Sequence, residues 1–456
     1  MSLFGRLTAM GQKEEIEPIL DNVPLDQLTP ELLDQPPQYT FVAAQLAVKQ
    51  GQIEKVQHYL DFNVKYVYCK DWNDSTLLHK AAQYARVDIV ELLLEKGADA
   101  NLVFNGRAPL QIAIESEYIG EDRTPESLKI FRKQRLMTVQ ALLKYAAKID
   151  YVNESGEQAL HIAAKLGCAE LVEELLKQGA DLEIKIEATE KAANNLARTP
   201  LIMAVRYAKD KPTIHLLLNS GANPNRIDIV TGHTPLQLVV NCQDDKTQLA
   251  QLKLLTQLLL KYKADINQQS EDDLQQTALH LAVTQCQLDL IELLISHGAS
   301  LSIQNAKKMM PIALAAKQGD AELVKLLHEK GSNLQQSRAL FYAANCQKSS
   351  AALEYLLDAG VDINMPNKRG YTPLFSAISA YSLINVKLLL DRDADIKMHS
   401  PKGMTVLEHA FACWGEVECL DKEENISEQQ QLNSDNARDI IDLLGGFEHK
   451  RPKMYF

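Results

Sequence analysis

A chain of 456 residues, 46% apolar and only 6% aromatic, has the composition of a folded, helix-rich protein rather than of a disordered or fibrous one. Its 48 basic and 60 acidic residues leave a net charge of −12, which argues against a general binder of phosphate backbones, since that affinity comes from clustered Lys and Arg. No apolar run approaches the ~20 residues of a membrane-spanning helix, "MSLFGRLTAM" lacks the apolar core of a cleaved secretory signal, and seven scattered cysteines without a C-x-x-C pair point to a reducing compartment.

From the N-terminus onward one segment recurs. "GQKEEIEPIL" (11–20) aligns with "GQIEKVQHYL" (51–60), which places Phe4 at the first anchor. Ala44, Leu78, Leu110, Leu160, Leu201, Leu236, Leu279, Ile312, Leu340, Leu374 and Leu407 follow at a period near 33, the step from Ile312 to Leu340 being 28. Each copy predicts two helices. Thr199 and Thr372 suit N-caps, with Pro200 and Pro373 at the first helical position, where a missing N–H costs nothing. The small pairs Ala81–Ala82, Ala163–Ala164 and Ala315–Ala316 let neighbouring helices approach, and "IVELLL" (89–94) carries the apolar stripe of a second helix. Gly97, Gly179, Gly221, Gly298, Gly331 and Gly360 then close that helix with a left-handed residue. Ala146, Lys263 and Asp393 replace the glycine, so those units are either strained or turn differently; Asn63 in the same place is tolerable.

Two motifs carry a resemblance. "TPLIMAV" (199–205), "TPLQLVV" (234–240), "TALHLAV" (277–283), "MPIALAA" (310–316) and "TPLFSAI" (372–378) share one signature, and "GADAN", "GADLE", "GANPN", "GASLS" and "GVDIN" share another. In both the chain resembles the ankyrin repeat family over nearly its whole length. The resemblance implies an all-α fold: a solenoid of about 11–12 helix-turn-helix units joined by hairpin loops, in a single elongated, curved domain. The expected organisation is a degenerate capping repeat at 1–38, an array over 39–402, a C-terminal capping repeat at 403–446 and a tail at 447–456.

Function is expected in the departures from the repeat. Insertions near 115–130, 241–251 and 413–434 separate the two helices of their units, and those at 184–197 and 268–276 lengthen connecting hairpins. In the first, Thr124 caps a helix with Pro125 and Glu126 in its first turn, continuing to Ala146 and overshooting an ordinary second helix by roughly 15 Å. It bears Lys129, Arg132, Lys133 and Arg135, either a solvated face or a docking site for an acidic partner. The resemblance further implies that partners are held by fingertips and the first helix of each unit. Those positions here are Trp72, Asn73, Tyr84, Phe104, Arg107, Arg206, Tyr207, Lys368, Arg369 and Tyr371, aromatic and arginine side chains of the kind that anchor interfaces, and packing residues otherwise.

Little of the sequence suggests catalysis. His79, His161 and His280 take the fourth place of the first signature, where the family uses the ring to hydrogen-bond within and between repeats. In "EHAFACWGEVEC" (408–419), His409 and Cys413 share a helix face near Cys419, but a zinc site would need a fourth ligand and tidier spacing. Cys413–Trp414 resembles a papain-like nucleophile without the preceding glycine and cysteine. No phosphate loop, dinucleotide fingerprint or H-E-x-x-H occurs, so neither cofactor nor metal is expected. Asn101, Asn225, Asn267 and Asn364 close the second signature, where the family is open to asparagine hydroxylation; the plainer role is to bond the loop.

The expected function is therefore a non-enzymatic scaffold for protein partners, monomeric and cytoplasmic, binding no nucleic acid and inserting in no membrane. The diverged, Gln- and Asn-rich repeats, acidic "DKEEN" (421–425) and basic "HKRPKMYF" are similar in style to ankyrin effectors that intracellular bacteria deliver into a host cytosol. The alternatives are a eukaryotic-type cytosolic adaptor and a cryptic cysteine hydrolase or transferase site in 400–456.

Overall fold

A computed structural model describes residues 37–71, 74–118, 122–184, 198–242, 249–420 and 428–445. Most of the expected cap at 1–38 and all of the tail at 447–456 lie outside these residues. Every regular element described is a helix, and the extended pairings among the described residues are two isolated antiparallel bridges, Phe104 with Arg107 and Asp228 with His233.

The helices belong to two compact units. The first comprises the described residues up to Pro235, with Lys261–Lys263. It holds α1 (Pro37–Gln50), α2 (Ile53–Phe62), α3 (Leu77–Gln83), α4 (Val87–Glu95), α5 (Pro109–Ile114), α6 (Pro125–Lys144), α7 (Ala159–Lys165), α8 (Ala169–Lys177), α9 (Pro200–Met203) and α10 (Lys211–Asn219). The second comprises Leu236–Leu260 and the described residues from Ala264 onward. Its helices are α11 (Pro235–Val240) and α12 (Leu249–Lys261), whose outermost residues belong to the first unit, then α13 (Ala278–Thr284), α14 (Leu288–Ser296), α15 (Pro311–Gln318) and α16 (Ala321–Glu329). There follow α17 (Leu334–Ser337), α18 (Ala339–Ala344), α19 (Ala351–Asp358), α20 (Pro373–Ser379), α21 (Leu383–Asp391), α22 (Val406–Leu420) and α23 (Glu428–Leu443).

Apart from α17 these helices come in consecutive pairs. In the first unit α1, α3, α5, α7 and α9 pack each on the next, as do α2, α4, α6, α8 and α10; in the second unit α13, α15, α18, α20 and α22 do the same. Ala81, Ala82, Ala163, Ala164, Ala315 and Ala316 are wholly buried at these seams, where a larger side chain would force the helices apart. The anchors from Ala44 through Leu374 are buried as well. Each buried leucine contributes about 1.5–3 kcal/mol, repeated pair by pair as in other stacked-repeat folds. Leu407 departs from this pattern: it is half-buried, and its neighbour Val406 takes the core position at the start of α22.

Of the three threonines expected to cap helices, two do so. Thr199 Oγ1 accepts from the Ile202 N–H and Thr124 Oγ1 from the Ser127 N–H, at 3.5 and 3.2 Å. Thr372 also stands at an N-cap with proline behind it, yet its buried hydroxyl makes no cap bond among the described residues. Helix ends behave as expected: the six closing glycines have φ between 80 and 102°, and Ala146, Lys263 and Asp393 occupy the same left-handed region at 60, 64 and 60°. Asn63 corrects the reading of its position. Its backbone is extended, with φ −149°, because its side chain instead caps a 3-10 turn at Val64–Val67 by accepting from the Lys65 N–H.

The inserted helix α6 runs 20 residues against nine for α4, so it extends about 16 Å further at 1.5 Å per residue. Of the stretch 413–434, residues to Leu420 continue α22 and those from Glu428 belong to α23. Residues 185–197 and 243–248, in two other expected insertions, lie outside the described set.

The asparagines that close the loops are clamps between successive pairs. Asn101 Nδ2 donates to the Ala146 carbonyl at 3.1 Å while its Oδ1 accepts from the Lys148 N–H at 2.7 Å. Asn267 does the same with Gly298 and Ser300, Asn364 accepts from the Asp395 N–H, and Asn225 donates to the Lys263 carbonyl. Asn385, fully buried on α21, points its amide at the Ala343, Ala344 and Cys346 carbonyls, which closes the C-terminus of α18. The described cysteines are not joined in disulfides: Cys346 and Cys413 are buried, Cys286 is exposed, and Cys69, Cys168 and Cys242 are intermediate.

Candidate protein-binding site

The signature histidines are fully engaged within the scaffold. His79 Nδ1 accepts from the Thr76 N–H at 3.1 Å, so the proton sits on Nε2, which lies 2.7 Å from the Leu102 carbonyl. His280 repeats this with Thr277 and Met309. His161 accepts from the Gln158 N–H and spans the Ile184 and Arg198 carbonyls at 3.2 and 3.0 Å. Burial holds all three below the usual imidazole range, His161 at about 4, and both nitrogens of each ring are already engaged by backbone groups. Gln111 and Gln237 stand at the same signature position and do the same work, each Nε2 donating to two carbonyls across the connecting loop. Their place after P-L was the signal that sequence reasoning passed over.

In the first unit Tyr84, Phe104 and Arg107 come together around a cleft of about 330 Å³. Tyr84 ends α3; Phe104 and Arg107 flank the Asn105–Gly106 fingertip, where both central residues are left-handed, as a tight two-residue hairpin turn requires. Phe104 packs at a tilt of 55° against His79 with ring centroids 5.4 Å apart and so is partly packing. Arg107 is exposed and its Nη1 lies 2.9 Å from Glu115 Oε2; burial pushes the Glu115 carboxyl up against the opposing pull of Arg107. Trp72 and Asn73 lie outside the described residues.

Arg206 and Tyr207 belong to a second group, on a π-helical turn at Ala204–Ala208 that follows α9. Beneath them Arg198 Nε donates to Asp228 Oδ1 at 3.1 Å, with both side chains almost wholly buried. Arg206 reaches the other carboxylate oxygen at 3.5 Å, and Arg198 Nη1 donates to the Tyr207 hydroxyl at 3.1 Å. Tyr207 remains 45% exposed with the Lys165 ammonium 5.7 Å from its ring, so its outer face is open to a partner.

On α6, Lys129, Arg132 and Lys133 are exposed, whereas Arg135 is half-buried and donates from Nη2 to Cys168 Sγ at 2.9 Å. Burial pushes the Cys168 thiol up and the Arg135 charge pulls the other way. Arg123, Arg132 and Arg135 line a cleft of about 690 Å³ together with Glu117, Glu170 and Asp210, so its charges are balanced. In the second unit Lys368 and Arg369 are exposed at a fingertip, while Tyr371 is half-buried with its ring 6.0 Å from both Phe375 and His409. Cys413 Sγ lies 3.8 Å from His409 Nε2, but that nitrogen faces the Ser379 hydroxyl at 2.8 Å and the thiol is 8% exposed. Among the described residues no group of three His, Cys, Asp or Glu side chains is placed to hold a metal, and no helix is long and apolar enough to cross a membrane.

The family described as ankyrin repeats in three copies matches residues 44–122, 128–228, 201–305, 298–367 and 340–422. The chain is 25% identical over 314 residues to the human transient receptor potential cation channel subfamily A member 1, a match covering 63% of this chain and 27% of the channel. It is 32% identical over 152 residues to neurogenic locus notch homolog protein 1 of Xenopus tropicalis, covering 29% of this chain and 6% of that one. With the ankyrin repeat protein nuc-2 of Neurospora crassa it shares 28% over 218 residues, 43% of this chain and 19% of the relative. The ankyrin repeat domain of Bcl-3 superposes at a TM-score of 0.44 with 23% identity, over 56% of this chain and 99% of that domain. The family match spans well over half of the sequence: the chain belongs to the ankyrin repeat family, whose repeats imply a scaffold for protein–protein interaction. It spans only a small part of the length of the curated relatives it matches.

Proposed function

We propose that this chain is a non-enzymatic scaffold that holds a protein partner on its fingertips, first helices and inserted helix α6. The observation that carries the reading is the cleft bounded by Tyr84, Phe104 and Arg107, where an aromatic-and-arginine surface sits on a framework whose histidines are spent on backbone carbonyls. In the first unit Tyr207, Lys129, Arg132 and Lys133 are further candidates, and in the second unit Lys368 and Arg369 are candidates in their own right. The scaffold acts as a monomer in a cytosol, with no nucleic acid and no membrane insertion in its role. Its narrower form, a bacterial effector working in a host cell, is supported by the diverged, Gln- and Asn-rich repeats.

The test is quantitative affinity capture with the full chain, comparing wild type with Tyr84→Ala/Arg107→Ala of unchanged melting temperature. Proteins retained by the wild type and shed by the variant are the expected result. Retention that ignores the double variant, together with a turnover of any captured protein that disappears in Cys413→Ser, would defeat the scaffold reading in favour of a hydrolase.

A further inference from the structure

In the second unit the hairpin finger between successive pairs is missing once. After α16 the chain reaches α18 through residues 330–338, where the four-residue helix α17 replaces the extended hairpin found at 359–372 and 392–405. The shortened step from Ile312 to Leu340 is the trace of this deletion in the sequence. The gap is a slot of about 520 Å³. Lys308 and Met310 line it from the preceding finger, Arg338 from its floor, and Met365 and Lys368 from the following finger; the remaining lining residues are glutamines and Ser337. Three cations and no carboxylate face this space in a chain of net charge −12. Two of them occupy backbone positions that suit glycine, Lys308 with φ 59° and Arg338 with φ 54°.

We infer that this slot binds an acidic segment of a protein partner, its carboxylates meeting Lys308, Arg338 and Lys368 and an aliphatic side chain resting on Met310 and Met365. Guanidinium and ammonium groups on three sides suit spaced carboxylates, and methionine walls adapt to an apolar residue between them. The inference rests on the scaffold reading and supplies the chemistry of one partner segment.

The probe is a short fluorescein-labelled peptide with glutamates around one central leucine, titrated into the full chain by anisotropy, beside a matched peptide with glutamines. The glutamate peptide is expected to bind and to weaken as salt rises, and the glutamine peptide to fail. Each cation removed should cost up to about fivefold in affinity, and Lys308→Glu/Lys368→Glu should cost more than tenfold. Arg338→Gly separates the site from the fold, because it is expected to raise the melting temperature while weakening the peptide. Binding unchanged by these variants, or no binding at all, overturns the inference. So does a single-stranded oligonucleotide of equal charge that displaces the peptide at lower concentration, which would make the slot a nucleic-acid site. A peptide that ignores the slot while Tyr84→Ala/Arg107→Ala still sheds its partners removes this site and leaves the scaffold standing.

Discussion

Replacing His161 by glutamine should leave the protein as stable at pH 7.5 and make it less sensitive to acid. The ring is fully buried and acts as an Nε2 donor to two carbonyls and an Nδ1 acceptor from one backbone N–H. Gln111 already performs these roles with its Nε2 and Oε1, so the exchange is expected to cost under about 1 kcal/mol at pH 7.5. Burial lowers the folded His161 from 6.5 to about 4, so the unfolded chain binds the proton first. Its contribution is complete above pH 6.5, falls as pH drops, and is gone below 4. At about 1.4 kcal/mol per unit this amounts to roughly 2 kcal/mol at pH 5 and about 3 kcal/mol in full. Urea melts of wild type and His161→Gln at pH 7.5, 6, 5 and 4.5 measure the difference directly. Relative to their difference at pH 7.5, the two curves should shift apart by about 2 kcal/mol at pH 5 in favour of the variant, which is then about 1–2 kcal/mol the more stable. Parallel loss in both proteins would refute the argument, since it would place the acid sensitivity elsewhere.

Lys263→Gly removes a side chain from the left-handed region at φ 64° and should stabilise the first unit by about 1 kcal/mol, seen as a rise of about 2–4 °C in its melting temperature; an unchanged or lower value would contradict this. Arg198→Ala takes the buried partner from the Asp228 carboxylate, which keeps Arg206, the Val230 N–H and the Thr231 hydroxyl, and should cost about 2–3 kcal/mol, whereas Arg206→Ala, at the exposed edge of the same group, should cost under about 1 kcal/mol; equal losses in calorimetry would show that the Arg198–Asp228 pair is not the centre of that cluster. Asn385→Ala withdraws the amide from the carbonyls at the end of α18, where Ala343 keeps the Cys346 N–H and Cys346 keeps the Ser382 hydroxyl, and should cost about 1–2 kcal/mol, with amide exchange accelerating first in α18 and α21.

The period, the helix starts and the left-handed closures were legible because each depends on residues close together in the chain. Lys263 and Ala146 could be placed at positive φ simply because they stand where Gly97 stands. What escaped was decided by geometry or by distant residues. Thr199 and Thr372 look alike in sequence and share an extended backbone, yet one hydroxyl caps its helix and the other does not. The ion pair of Arg198 with Asp228 joins residues 30 apart, and Arg135 leaves the basic face of α6 for a thiol 33 residues away. Of the expected binding residues, Tyr84, Phe104 and Arg107 meet around one cleft, and Arg206 with Tyr207 forms another group. Phe104 and Tyr371 also show rings committed to packing against histidines, a double duty that exposure scales and motif positions do not reveal.

The described cysteines, none of them joined in a disulfide, give this protein a built-in set of reporters. Cys168, Cys242, Cys286, Cys346 and Cys413 fall in five different helix pairs and Cys69 in the connection between two others, and they range from exposed to buried. Under a slow alkylating reagent the order in which they react would trace where the stack first loosens, repeat by repeat, without a single engineered label.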